Sequence, residues 1–154
     1  MDYKSHKKAC DTIMPFQFDT LPIRGFICKC DSTLTRINEQ HKYPLPISKL
    51  LAEASVLTIM MANSVRLQHK LSLQIQGKGG VNLIATDYVV SRSRLAIPSI
   101  RGYARYKKSA VQKNQSFRDL IGNGYFATHL DQGDGNLPYR SISDIRQSSL
   151  TSSA

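Results

Sequence analysis

Between Ile47 and Ala62 eleven of sixteen residues are apolar, and the polar ones, Ser48, Lys49, Glu53, Ser55 and Thr58, crowd toward the N-terminal side. Pro44 and Pro46 precede this run, and Pro46 suits a first helical position, where its missing N–H leaves no bond unmade. The spacing predicts a long helix over about residues 46–64, apolar on nearly every side beyond Glu53 and therefore buried. A membrane span would need ~20 predominantly apolar residues. The uncharged run here extends from Ala54 to Ala62 and contains Ser55 and Thr58, so the membrane reading is set aside. Met60 and Met61 are read as core filling rather than as a soft binding face.

After Ser64 the pattern turns from helical to alternating. Leu71, Leu73 and Ile75 alternate with Ser72, Gln74 and Gln76, and Gly77-Lys78-Gly79-Gly80 turns the chain into Val81 to Tyr88, which predicts a hairpin with one buried face. Ile100 to Tyr106 reads as another strand, with Gly102 marking a bulge or a close backbone approach. Ser116-Phe117-Arg118-Asp119 is a capping-box pattern for a short helix stopped by Gly122, and Gly124 to Asp131 is again strand-like. Upstream, Phe16 to Asp19 and Ile23 to Cys30 read as strands separated by Pro22. Asp31 or Ser32 caps a helix through about His41, with Leu34 and Ile37 on its inner face. The fold class is α+β: a mainly antiparallel sheet packed on one long buried helix (about 46–64), with a shorter capped helix (about 32–41).

A length of 154 residues predicts one domain with a substantial core, and a hydrophobic fraction of 41% excludes a disordered chain. Met1 to Cys10 is polar and basic, with no apolar signal segment, and residues 1–14 read as a flexible basic arm. Three cysteines without a framework of spacings agree with a reducing compartment, and the expected location is cytoplasmic. The net charge of +10 is uneven: from Tyr88 to Arg118 there are eight Lys or Arg residues and no Asp or Glu. Arg101, Arg105, Lys107 and Lys108, interleaved with Tyr103 and Tyr106, form a candidate nucleic-acid face, although no recognition-module signature accompanies them.

Cys28 and Cys30 form a C-x-C pair. In a strand such side chains share a face without converging on one ion, and a structural zinc site needs four ligands, so the pair is read as two small apolar residues. Gly122 to Ala127 fits G-x-G-x-x-A but lies between helix and strand, the reverse of the dinucleotide fingerprint. Asp131 to Asn136 lacks the carboxylates of a calcium loop. No catalytic, cofactor or metal residue is assigned, and the chain is not read as an enzyme.

Five collinear segments carry a resemblance: F-Q-F-D-T-L-P-I-R-G (Phe16 to Gly25), T-L-T-R-I-N-E-Q-H-K-Y-P-L-P-I-S-K-L-L-A-E-A (Thr33 to Ala54), L-S-L-Q-I-Q-G-K-G-G-V-N-L (Leu71 to Leu83), I-R-G-Y-A-R (Ile100 to Arg105) and D-L-I-G-N-G-Y-F (Asp119 to Phe126). In order and spacing these resemble the redox-regulated holdase chaperones of the heat-shock-protein-33 family. The resemblance implies a substrate-binding α+β core, followed in the family by a helical linker and a C-terminal zinc domain with C-x-C and C-x-x-C. There oxidation forms disulfides, expels zinc, unfolds the linker and exposes apolar surface to unfolding clients. Cys28 and Cys30 are not those zinc ligands, because they fall in the first part of the core where the family usually has apolar residues.

The sequence departs from the family after Asn136, where more core strand is expected and a Ser-rich segment stands instead. The expected organisation is a basic arm (1–14), an incomplete core domain (15–137), a disordered tail (138–154) and no C-terminal zinc domain, a truncated core with an exposed sheet edge. The implied function is an ATP-independent holdase without zinc or redox control. Its partners would be unfolded or misfolded clients, with a homodimer or a complementing C-terminal half as further expectations. The alternatives are a basic nucleic-acid-binding protein and a remnant that does not fold.

Overall fold

Two stretches near the start of the chain pair as an antiparallel ribbon, β1 (Thr12–Gln17) and β2 (Arg24–Lys29), with Met14 opposite Ile27 and Phe16 opposite Gly25. The computed structural model describes residues 11–91, 97–133 and 135–146. By their contacts the chain divides into two compact units, Met1–Lys42 and Tyr43–Ala154, where the length predicts one domain. Residues 1–10 of the expected basic arm lie outside the described residues, but Thr12 to Met14 already belong to β1, which starts and ends earlier than the Phe16 to Asp19 strand expected.

The first unit continues into helix α1 (Asp31–His41), which buries Ile37 and ends at Lys42 in the left-handed region, φ 47°. Neither Asp31 nor Ser32 caps it. The Asp11 carboxylate does, accepting the Ser32 and Thr33 N–H groups at 2.9 Å each as well as both hydroxyls. A carboxylate at this position satisfies orphan N–H donors and sits at the positive end of the helix dipole.

In the second unit, α2 (Leu45–Ser64) starts behind Pro44 as the prolines predict. It lies against β4, β5 and β3 of a five-stranded antiparallel sheet made of β3 (Lys70–Gly77), β4 (Val81–Val89), β5 (Ser99–Tyr106), β6 (Gly124–Asp131) and β7 (Tyr139–Ile145), in the order β5-β4-β3-β6-β7. Leu71, Leu73 and Ile75 occupy one face, opposite Tyr88, Thr86 and Ile84 of β4 and opposite the half-buried Leu130, Thr128 and Phe126 of β6. Each fully buried Leu or Ile contributes about 1.5–3 kcal/mol. The chain's hydroxyls join this core instead of interrupting it: Ser55 and Thr58 are fully buried and donate back to the Leu51 and Ala54 carbonyls at 2.8 and 2.7 Å.

The helix is not apolar and buried all round, as its composition predicts. It packs through one side, so Leu57 remains 42% exposed while Val56, Met60 and Met61 are half-buried. It is long and apolar enough to cross a membrane, and 50% of that window is buried inside the fold.

A short helix, α3 (Phe117–Ile121), carries the expected capping box, with Ser116 and Asp119 bonded reciprocally. Gly122 beyond it has φ 63°, and the Gly79 N–H donates to the Ile121 carbonyl at 2.9 Å, so the β3–β4 turn lies against the helix exit. The glycines of the G-x-G-x-x-A string thus serve close backbone packing. Gly102 pairs regularly with Thr86, so the bulge offered for it is not there, and the register shift between β4 and β5 falls between Val81 and Leu83.

The segment expected to be disordered from residue 138 forms β7, antiparallel to β6, over Tyr139–Ile145. Its pairing runs through the backbone and needs little from its Ser-rich side chains. β7 is thus an edge strand of the sheet, outside β6. At the opposite edge, the Ala104 N–H of β5 donates to the Tyr43 hydroxyl at 3.0 Å.

Candidate functional site

The ribbon of the first unit has two faces and is apolar on both. Ile13, Phe26 and Cys28 are half-buried on one. On the other, Met14 (54% exposed), Phe16 (41%) and Ile27 (57%) lie open, and exposed Phe18 and Ile23 extend the set at the ribbon's end. Gly25 makes room for it: a Cβ there would lie 2.6 Å from the Phe16 ring, so the ring lies over the glycine backbone. Phe18 meets Phe16 edge-on, ring centroids 6.0 Å apart. Clustered exposed apolar residues of this kind mark binding surfaces rather than scattered surface hydrophobes. Such a face offers no directional groups, so it can hold apolar segments irrespective of their sequence.

Sequence reasoning did not single out these residues. A signal was available, because Ile13 and Met14 put apolar side chains on both parities of one short strand.

Of the candidate nucleic-acid residues, Arg101 and Arg105 alternate with Tyr103 on one exposed face of β5, and Lys107 and Lys108 follow, also exposed. Arg101 stands opposite Asp87, which is held by Lys70 at 3.1 Å and by the Ser72 hydroxyl, so an acid interrupts the basic face. On the same side of the sheet Lys70, Gln74, Tyr125, His129, Arg140 and Ile142 line an open concavity of about 440 Å³, in which Arg140 Nε donates to His129 Nδ1 at 3.0 Å.

Cys28 and Cys30 do converge, contrary to the strand argument. β2 ends at Lys29, and Cys30 takes the N-cap position of α1 with φ −132° and ψ 51°, leaving the two sulfurs 3.0 Å apart. Burial, then the neighbouring Cys28, Asp11 and Asp31, push the Cys30 thiol up to about 12. A structural zinc ion does not fit this pair, because two sulfurs fall short of four ligands, and among the described residues no group of three or more His, Cys, Asp or Glu side chains could hold a metal.

A sequence model of the family described as "Hsp33 protein" matches residues 11–154. The chain is similar to the 33 kDa chaperonin of Caulobacter vibrioides, 30% identical over 146 residues, covering 91% of this chain and 46% of that protein. It is 28% identical over 141 residues to that of Methylobacillus flagellatus (91% and 45% covered) and 27% identical over 125 residues to that of Escherichia coli (81% and 40%). It thus spans about half the length of the curated relatives it matches. Its fold is similar to the crystal structure of the 33 kDa chaperonin of Thermotoga maritima, with a TM-score of 0.67 at 16% identity, covering 86% of this chain and 45% of that chain. With a family match running from Asp11 to the last residue, and with the fold in agreement, the chain belongs to the Hsp33 family.

Proposed function

We propose that this chain is an ATP-independent holdase that retains unfolded or misfolded proteins on the open face of the β1–β2 ribbon. The observation that carries this reading is the exposure of Met14, Phe16, Phe18, Ile23 and Ile27 together. Apolar segments of an unfolding client gain by burying themselves there, at about 25 cal/mol per Å² removed from water. The work is binding and not catalysis. It requires no zinc and no nucleotide, takes place in the cytoplasm, and proceeds without the family's zinc and redox switch. A second copy of the chain or a separate C-terminal half would compete for apolar surface as additional partners.

The test is light scattering of a heat-unfolding client mixed with the purified chain, with and without reductant. Suppression of scattering, equal in both conditions, is expected. A soluble, folded sample that suppresses nothing overturns the reading.

The second reading, a basic nucleic-acid-binding protein, draws on Arg101, Tyr103 and Arg105 sharing one exposed face. A salt-dependent affinity for single-stranded DNA that is lost when Arg101, Arg105, Lys107 and Lys108 are neutralised would favour it.

A further inference from the structure

Cys28 and Cys30 have no part in the binding surface just described. Cys28 stands opposite Ile13, on the face of the ribbon away from Met14 and Phe16. Cys28 is half-buried, whereas Cys30 is only 7% exposed. The 3.0 Å separation lets one thiol donate to the other and puts a direct S–S bond within a small side-chain rotation. Two thiols this close, one reachable and one screened, form an attacking and a resolving pair. We propose that Cys28 and Cys30 form a thiol–disulfide exchange site whose oxidant is a low-molecular-weight disulfide such as glutathione disulfide.

In the first step the Cys28 thiolate attacks one sulfur of the small disulfide. The S–S bond of the oxidant breaks, one thiolate leaves and takes up a proton, and Cys28 carries the other half as a mixed disulfide. In the second step Cys30 gives its proton to solvent, attacks the Cys28 sulfur and expels the second small thiol. Two protein thiols are oxidised and one small disulfide is reduced to two thiols. The difference in exposure assigns this order: Cys28 is the thiol that a small disulfide can reach, and the buried Cys30, whose thiol burial pushes up, meets only the sulfur beside it. The product staples the end of β2 to the start of α1, and the reaction leaves the open apolar face untouched, so holdase activity and thiol chemistry are separable.

The test uses the full chain with Cys10→Ser, which leaves the pair as its sole thiols. It is equilibrated with reduced and oxidised glutathione over a range of ratios, its free thiols are alkylated, and its mass is read before and after digestion at Lys29. Loss of both alkylation sites in a monomer is expected, with the peptides on either side of Lys29 held together until reductant is added. With Cys30→Ser in addition, a glutathione adduct should accumulate on Cys28. The proposal is overturned if both thiols stay alkylatable at the most oxidising ratio. It is equally overturned if oxidation yields covalent dimers alone, or if the adduct on Cys28 persists while Cys30 is present. None of these readouts depends on whether the chain suppresses aggregation.

Discussion

Thr58 of α2 and Thr86 of β4 share a buried hydroxyl–hydroxyl hydrogen bond between helix and sheet. Thr58 gives its proton to the Ala54 carbonyl, so Thr86 must be the donor between the two. The pair therefore responds unequally to substitution. Thr58→Val leaves the Thr86 hydroxyl without an acceptor in a site 1% exposed, a loss of about 1–3 kcal/mol. Thr86→Val removes a donor from an oxygen that keeps its other bond, and should cost less. The double variant should be more stable than the sum of the two losses predicts, as read from urea titrations.

The open ribbon face is expected to be separable from stability. Met14→Ser, Phe18→Ser and Ile27→Thr change exposed side chains, and each should shift stability by no more than about 0.5 kcal/mol. Combined, they should abolish suppression of client scattering at concentrations where the parent chain suppresses it. Unchanged suppression in the folded triple variant would move client binding off this face.

Asp11 ties acid sensitivity to the start of α1. Burial alone would raise its carboxyl, but hydrogen bonds from Thr33 and Ser32 outweigh that and hold it below its ordinary value of 3.8. A lowered carboxylate contributes stability that is complete above the ordinary value and is lost as pH falls through the folded one. Asp11→Ala should cost roughly 1 kcal/mol at neutral pH. The gap between parent and variant should close as pH drops below 3.8, measured as exchange protection of the Ser32 and Thr33 amides.

At Gly124 the constraint is steric. A Cβ there would run into the Gln76 carbonyl oxygen, a backbone atom of the neighbouring strand that cannot swing aside. Gly124→Ala should destabilise the second unit by about 1–3 kcal/mol or more, with a lowered urea midpoint as the readout.

How much of this could be read from the residues depended on how local the physics was. The β3–β4 hairpin, α3 and the start of α2 were legible because Leu71, Leu73 and Ile75, the Ser116 box and Pro44 signal over a few positions. The cap of α1 was not, since Asp11 lies 21 residues from Ser32 and only the folded ribbon brings it near. β7 was missed because Tyr139–Ile145 is held by backbone pairing to β6, which composition does not register. The open side of α2 was missed for a related reason: the apolar content of a helix does not say how many of its sides a partner will cover. Cys28 and Cys30 were separated on paper by extending β2 one residue too far, through Cys30.

The Asp11 cap also fixes an order of events. An eleven-residue helix such as α1 is marginal alone in water, because nucleating its first turn is unfavourable. Its capping group arrives only when β1 is laid against β2, since the ribbon carries the start of the chain back across 21 positions to Ser32. Strand pairing and helix growth in the first unit are therefore one cooperative event. Any force or partner that peels β1 away should take the cap with it and weaken α1 by about 1 kcal/mol.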